Sequence, residues 1–407
     1  MKRISLFLLL FLLLKATVMY SQDGHPETNF RIVPVSPNAA SLGTYGLIPT
    51  DNYVGQARIS IPIYEIDLDG KKFPIALSYH TDGTRVAQEA TWIGLGWTLQ
   101  AGGCVVRQVQ GTDDFAARGC YNLTDAPWLT NPRFEVTDQN LEKYMGYFKG
   151  DYDAEPDMFY FNAGGHSGSM YFDVLKNNRQ LNAVPTIQTQ EKVVKMVYNT
   201  SNKTWTMTDL EGYVYSFSTK EITYYFLNTI DFFQTDITRS HIFPYYNEPQ
   251  IVTAWMLDSV TSPNGGKIMF SYKKESIFTP ISTTEDVISL SKIVNGQLSS
   301  QSPQYFTNKF NYNYSYSKIE QWTLSAITFE GGKVEFGTTD REDIESAETG
   351  KKVQKLSSIK VSDTAGNLIK TTMLEYKYLL SGMAATTNGY DDRLLLSKVY
   401  DVAGSKK

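Results

Sequence analysis

Five times between residue 257 and the C-terminus the chain repeats a leucine, two variable residues and an isoleucine or valine, then a glycine-containing turn. The clear copies are Leu257-Asp258-Ser259-Val260 before Asn264-Gly265, Leu324-Ser325-Ala326-Ile327 before Gly331-Gly332, Leu356-Ser357-Ser358-Ile359 before Gly366-Asn367, and Leu396-Ser397-Lys398-Val399 before Gly404. A poorer copy, Leu290-Ser291-Lys292-Ile293 with Asn295-Gly296, fills the gap after the first. Successive leucines stand 33, 34, 32 and 40 residues apart. A period in this range marks an array of supersecondary units, each needing its neighbours to cover its apolar face. Stretches such as Lys267 to Tyr272 alternate with period two, and glycines interrupt any useful helix. The units therefore read as β-hairpins, not helical repeats.

Lys2 and Arg3, the apolar run Ile4 to Leu14, and the small-residue exit Ala16 to Ser21 read as a signal peptide over 1–21. The run is about half of what a bilayer-spanning helix needs, so the expected product is exported, extracellular or at the cell surface, and not membrane-spanning. The net charge is −5 and no Lys/Arg cluster makes a phosphate-tracking stripe, which argues against nucleic acid. Cys104 and Cys120 are the only cysteines. Export makes them a disulfide candidate, with Cys104 as a buried small hydrophobe the alternative.

Residues 22–56 are rich in Pro, Asn, Gly and Ser and read as an extended lead-in outside any core. An N-terminal β domain follows over 57–181, then a loop-rich boundary at 182–203 and a hairpin repeat region over 204–407. Ile59, Ile61 and Ile63 alternate, then Ile66 and Leu68 take over the phase, which places a bulge near Tyr64-Glu65. Asp69-Gly70 is a two-residue hairpin turn. Gly164 to Gly168 reads as a longer loop, and only Leu141 to Phe148, capped by Thr137 or Asp138, looks helical. The fold class is all-β: consecutive antiparallel hairpins forming sandwich-like or shell-like sheets, with very little helix. Leu394 to Val402 should be a strand whose return partner is missing, an edge that invites pairing or association.

Ser36-Pro-Asn-Ala-Ala-Ser-Leu-Gly43, Ile59-Ser-Ile-Pro-Ile-Tyr64, and Trp92-Ile-Gly-Leu-Gly-Trp97 with Ala101-Gly102-Gly103 occur in that order. Glu155-Pro-Asp-Met-Phe-Tyr-Phe161, Ser262-Pro-Asn-Gly265 and Asp392-Arg393-Leu394-Leu395-Leu396 follow. Together these strings resemble the N-terminal region of the RHS/YD-repeat proteins of Bacteroidetes. The resemblance covers nearly all of the chain after residue 21. It implies a secreted or surface β scaffold, usually followed by Tyr-Asp repeats and a variable C-terminal cargo. The sequence stops before either, so a truncated version is expected, and any cargo activity does not transfer to it.

Asp151, Asp153, Glu155 and Asp157 alternate, and on an extended segment they would face one side. Asp151, Asp153 and Asp157 are accordingly weak calcium candidates, against the plain reading of a solvated acidic turn. Gly165-His166-Ser167-Gly168-Ser169 is one residue out of register for a nucleophile elbow and reads as a hairpin tip. His25, His80, His166 and His241 have no metal-ligand spacing. Trp92, Trp97, Trp128 and Trp205 sit within apolar alternation and read as core, not as sugar platforms. No catalytic residue, cofactor or metal is expected. The leading reading is a non-enzymatic exported scaffold whose partner is a repeat and cargo region outside this sequence. A surface adhesin with a cell-surface or glycan partner is the alternative, and an exported hydrolase the third.

Overall fold

A computed structural model describes residues 34–40, 42, 58–80, 88–116, 119–121, 153, 155–173, 184–188, 194–230, 242–244, 250–289, 293–294, 297–298, 308–379 and 392–402. The signal segment, Leu141 to Phe148, Asp151, Trp128, His25, His241 and Gly404 lie outside them. Strands β1 (Arg58–Leu68), β2 (Lys71–His80) and β3 (Trp97–Gln100) form one three-stranded sheet. Next come β4 (Gly103–Gln108), β5 (Met158–Ala163), β6 (His166–Tyr171), β7 (Thr186–Ile187), β8 (Val194–Asn199) and β9 (Thr204–Asp209). The long β10 (Val214–Ile230), β11 (Phe243–Pro244), β12 (Ile251–Thr261), β13 (Lys267–Phe278) and β14 (Ser282–Ser289) follow. A minor pair, β15 (Ile293–Val294) and β16 (Gln297–Leu298), stands apart. Then come β17 (Asn308–Phe329), β18 (Gly332–Asp340), β19 (Glu345–Ser346), β20 (Gln354–Ser362), β21 (Leu368–Leu379) and β22 (Arg393–Val402). The chain is all-β and every pairing between named strands is antiparallel. Among the described residues no helix is long and apolar enough to cross a membrane.

The β1–β2 hairpin follows its sequence closely. Asp69 (φ 51°) and Gly70 (φ 90°) both take positive φ, as a type I′ turn requires, and Asp67 Oδ1 accepts the Gly70 N–H at 2.8 Å. The bulge falls at Ile63, between Pro62 and Tyr64, slightly upstream of its expected place. Gly164-Gly165 is a tight turn, not a longer loop, because both glycines take positive φ and Ala163 pairs directly with His166.

The repeat motif is explained by a bulge in every clear copy. Residues three apart on a regular strand point to opposite faces, so Leu-x-x-Ile would not bury both ends. Pairing jumps from Ser259 to Leu257 across Asp258, and from Ala326 to Leu324 across Ser325. It jumps likewise from Ser358 to Leu356 across Ser357, and from Lys398 to Leu396 across Ser397. The extra residue resets the phase and turns both apolar ends inward. Leu257, Val260, Leu324, Ile327, Leu356 and Ile359 are all buried. Leu396 and Val399 pack against the same cluster. The bulged side chain is itself tied down. Ser325 Oγ donates to Ser271 O and Ser397 Oγ to Glu375 O, both at 2.9 Å. Asp258 accepts from the Ser218 and Thr219 hydroxyls.

Pairings β10–β12, β12–β13, β13–β17 and β17–β10 return to their start, closing a ring of strands. The β1–β3 sheet packs its apolar face on the inner side of this array. Ile63, Ile66, Leu68, Ile75, Leu77 and Leu99 join one cluster with Phe159, Trp205, Tyr215, Trp255 and Leu356. Strands on both sides of 182–203 contribute to that cluster, and β8 lies within the expected boundary and pairs with β9. The lead-in also departs from expectation. Residues 37–40 form a helical turn, with Ser36 and Ala39 fully buried against the sheet. At the far end, β22 forms as expected, paired to β21, and Leu394 O accepts the Leu95 N–H at 2.8 Å on its other edge.

Candidate functional site

Alternation along β4 separates two chemistries. Val105 belongs to the main aromatic cluster, whereas Cys104 and Val106 face a small cluster with Ala39, Ala254 and Met256. Arg107 shares the phase of Val105 and is therefore carried inward, 1% exposed. Its guanidinium lies over the rings of Phe115 (4.8 Å) and Phe159 (5.8 Å). Buried charge of this kind persists only when paired and hydrogen-bonded. Arg107 Nε donates to Asp157 Oδ2 at 2.8 Å, and Nη2 donates to Asp157 and Asp113.

Asp157, fully buried, also accepts the backbone N–H of Gln110 at 2.7 Å and of Asp114 at 3.3 Å. Asp114 returns the contact, its Oδ2 accepting the Asp157 N–H at 2.6 Å. Asp153 accepts N–H groups from Thr112 and Glu155, each at 2.9 Å. Gly111 (φ 69°) makes this approach feasible, since a Cβ there would lie 3.0 Å from the Asp153 carboxylate. Burial, then the charge of Asp157, pushes Asp114 up to about 9, and burial raises Asp157 as well, against the pull of Arg107. Burial pushes Asp153 up to about 7. Burial and the charge of Asp114 also raise the Tyr121 phenol.

This centre clamps residues 109–116 to the end of β4 and the start of β5, and Asp153 and Asp157 are spent on N–H donors. The calcium candidates Asp153 and Asp157 sit in it, buried, while Glu155 is exposed. Asp153, Glu155 and Asp157 therefore neither share one side nor form a solvated turn. Among the described residues no group of three or more His, Cys, Asp or Glu side chains is placed to hold a metal. The disulfide candidates are both buried free thiols. Cys104 faces the small cluster and Cys120 the main one, on opposite sides of β4, which is why they do not meet. Burial raises both thiols, Cys120 to about 12.

Trp92, Trp205 and Trp255 are buried, and Trp97 packs against the main cluster, so these rings serve the core. His166 lies 3.8 Å from Asp209, an acid already held by Lys71 and by the Tyr213 N–H. Sequence reasoning missed Arg107, Asp113 and Asp114. Their signal is present: an arginine in the inward phase of an apolar strand, followed past Gly111 by Asp113-Asp114.

No protein-family model matches the chain, and no curated protein matches it. Among solved structures, a mutant of the Photorhabdus luminescens Tc holotoxin pore aligns over 91% of this chain and 15% of its own, with 9% identity and a TM-score of 0.37. The TcdB2-TccC3-Cdc42 crystal structure aligns over 85% of this chain and 15% of its own, with 11% identity and a TM-score of 0.34. This chain spans 15% of the length of those chains.

Proposed function

We propose that this chain is a non-enzymatic, exported β scaffold, the N-terminal part of an RHS-type surface or toxin-carrier protein. The observation that carries the reading is the bulged repeat. Each copy turns a Leu and an Ile or Val into a core shared with its neighbours, so the units build a continuous wall and not separate modules. The polar groups with the most chemical promise support the same reading, because they are spent on architecture. Arg107, Asp153 and Asp157 fasten a loop, and Asp209 fastens the β9–β10 turn to Lys71 on β2. Buried tryptophans add core, not a sugar groove.

The test is to express the chain with residues 1–21 intact, fractionate the cells, and screen the purified product on a glycan array. The product is expected in the medium or at the cell surface, with no saturable sugar binding. Retention in the cytoplasm, or saturable sugar binding, overturns the reading.

A further inference from the structure

Residues 34–40 and 42 lie on the sheet instead of pairing within it, and every anchoring group that receives them is distant in sequence. Thr223 Oγ1 donates to Pro34 O at 2.9 Å, and the Ser36 N–H donates to Glu221 Oε1 at 2.8 Å. Asn38 uses both ends of its amide. Oδ1 accepts the Trp92 N–H at 2.9 Å and Nδ2 donates to Gln321 Oε1 at 3.4 Å. Asn162 Nδ2 donates to Leu42 O at 2.9 Å. Within the segment, Ser36 Oγ caps the turn by accepting the Ala39 N–H at 3.1 Å.

Side-chain fit is equally selective. Ala39 is fully buried against Cys104, Val106, Ala254 and Met256. Leu42 and Val35 flank it, half-buried. A cavity of about 30 Å³ remains beside Asn38, Ala39, Leu42, Trp92, Met256 and Trp322. That is room for about one water. Bonds from fixed side chains to the guest's main chain, with shaped pockets for a few guest side chains, are how folded domains read short peptides. The receiving groups come from β4, β5, β10, β12, β17 and the Trp92 loop, a frame paired within itself.

The geometry points to a peptide-recognition groove, filled in cis by Pro34–Leu42, that reads Ser-Pro-Asn-Ala-Ala-x-Leu as a capped helical turn. Glu221 and Gln321 select the turn's polar groups, and the Cys104–Ala254–Met256 floor selects a small apolar residue. The same groove accepts that sequence as a separate peptide once the covalent copy is free to leave.

To test this, a site-specific protease sequence is inserted between Gly46 and Asp51 of the full chain, which is folded and then cut. An excess of a fluorescent peptide spanning residues 32–44 is added and anisotropy followed. The cut protein is expected to take up one peptide per chain, saturably, and the uncut protein none. A peptide with Asn38→Ala should bind at least tenfold more weakly, and one with Ala39→Leu should not bind. Absence of saturable uptake by a cut protein with an unchanged circular dichroism spectrum overturns the proposal, as does equal binding of a scrambled peptide. Should cutting unfold the chain, amide exchange in the uncut variants Asn38→Ala and Ala39→Leu decides. The Trp92 and Ser36 amides are expected to exchange at least tenfold faster while β13 and β17 are unaffected; unchanged rates at Trp92 and Ser36 overturn the proposal.

Discussion

At the residue scale the decisive group is Arg107, a single cation answering several buried acids. Replacing it by leucine keeps most of the volume over Phe115 and Phe159 but leaves Asp157 without its counter-charge. Removing one partner of a buried pair costs about 3–5 kcal/mol, because the other stays behind uncompensated. Arg107→Leu is therefore expected to lower the urea midpoint sharply, and more at pH 8 than at pH 5, where protonation relieves the stranded carboxyl. An equal loss at both pH values would show that charge is not what Arg107 supplies. The thiols give a second check. Alkylation without reductant is expected to spare both cysteines in the native protein and to label both after denaturation. Denatured protein with no labelled cysteine would mean that Cys104 and Cys120 are bridged after all.

At the element scale, the one-residue bulge is what makes the repeat a repeat. Deleting Ser325 restores regular alternation and sends Leu324 and Ile327, both buried, to opposite faces. Expelling a large apolar side chain from a core costs about 2–5 kcal/mol, and the register of the β13–β17 ladder fails with it. Ser325→Ala removes only a hydroxyl bond to Ser271 O, worth about 0.5–1.5 kcal/mol. Deletion is expected to abolish the cooperative urea transition, and the alanine variant to shift it slightly; two similar small shifts would remove the bulge from the account. The hairpins were legible because turn chemistry and alternation are local, as at Asp69-Gly70 and Lys267 to Tyr272. The period-three spacing inside a period-two strand was legible too, although its meaning as a bulge appears only once the partner strand is in place. Other features depend on distant partners. Asp157 finds Arg107 across 50 positions, and Ser36 finds Glu221 across 185. A segment such as 34–42, with its two prolines, looks like linker until the floor that receives it exists.

At the scale of the whole molecule, buried acids outnumber the buried cations beside them, and this sets a pH dependence. Burial pushes Asp114 up to about 9, and Asp153 and Glu275 each up to about 7. Burial likewise raises Glu221, beneath Ser36. Each has a folded pKa above its unfolded value of 3.8 or 4.5, so folding takes up protons between the two. Stability from these groups is complete below the unfolded values. It falls as pH rises, through about 7 for Asp153 and Glu275 and on toward about 9 for Asp114. Asp209 works the other way: held low by Lys71 and the Tyr213 N–H against the cost of burial, it supports the fold above the usual carboxylate range and fails only in stronger acid. The two trends place the maximum in mild acid, near about pH 5. Melting temperature measured from pH 4 to pH 9 is expected to peak there and to decline steadily on the alkaline side, with Glu275→Gln flattening the decline between pH 5 and 7. A melting temperature that instead climbs to pH 8 would mean that these carboxyls are ionised in the fold, and that the interior carries counter-charges beyond Arg107.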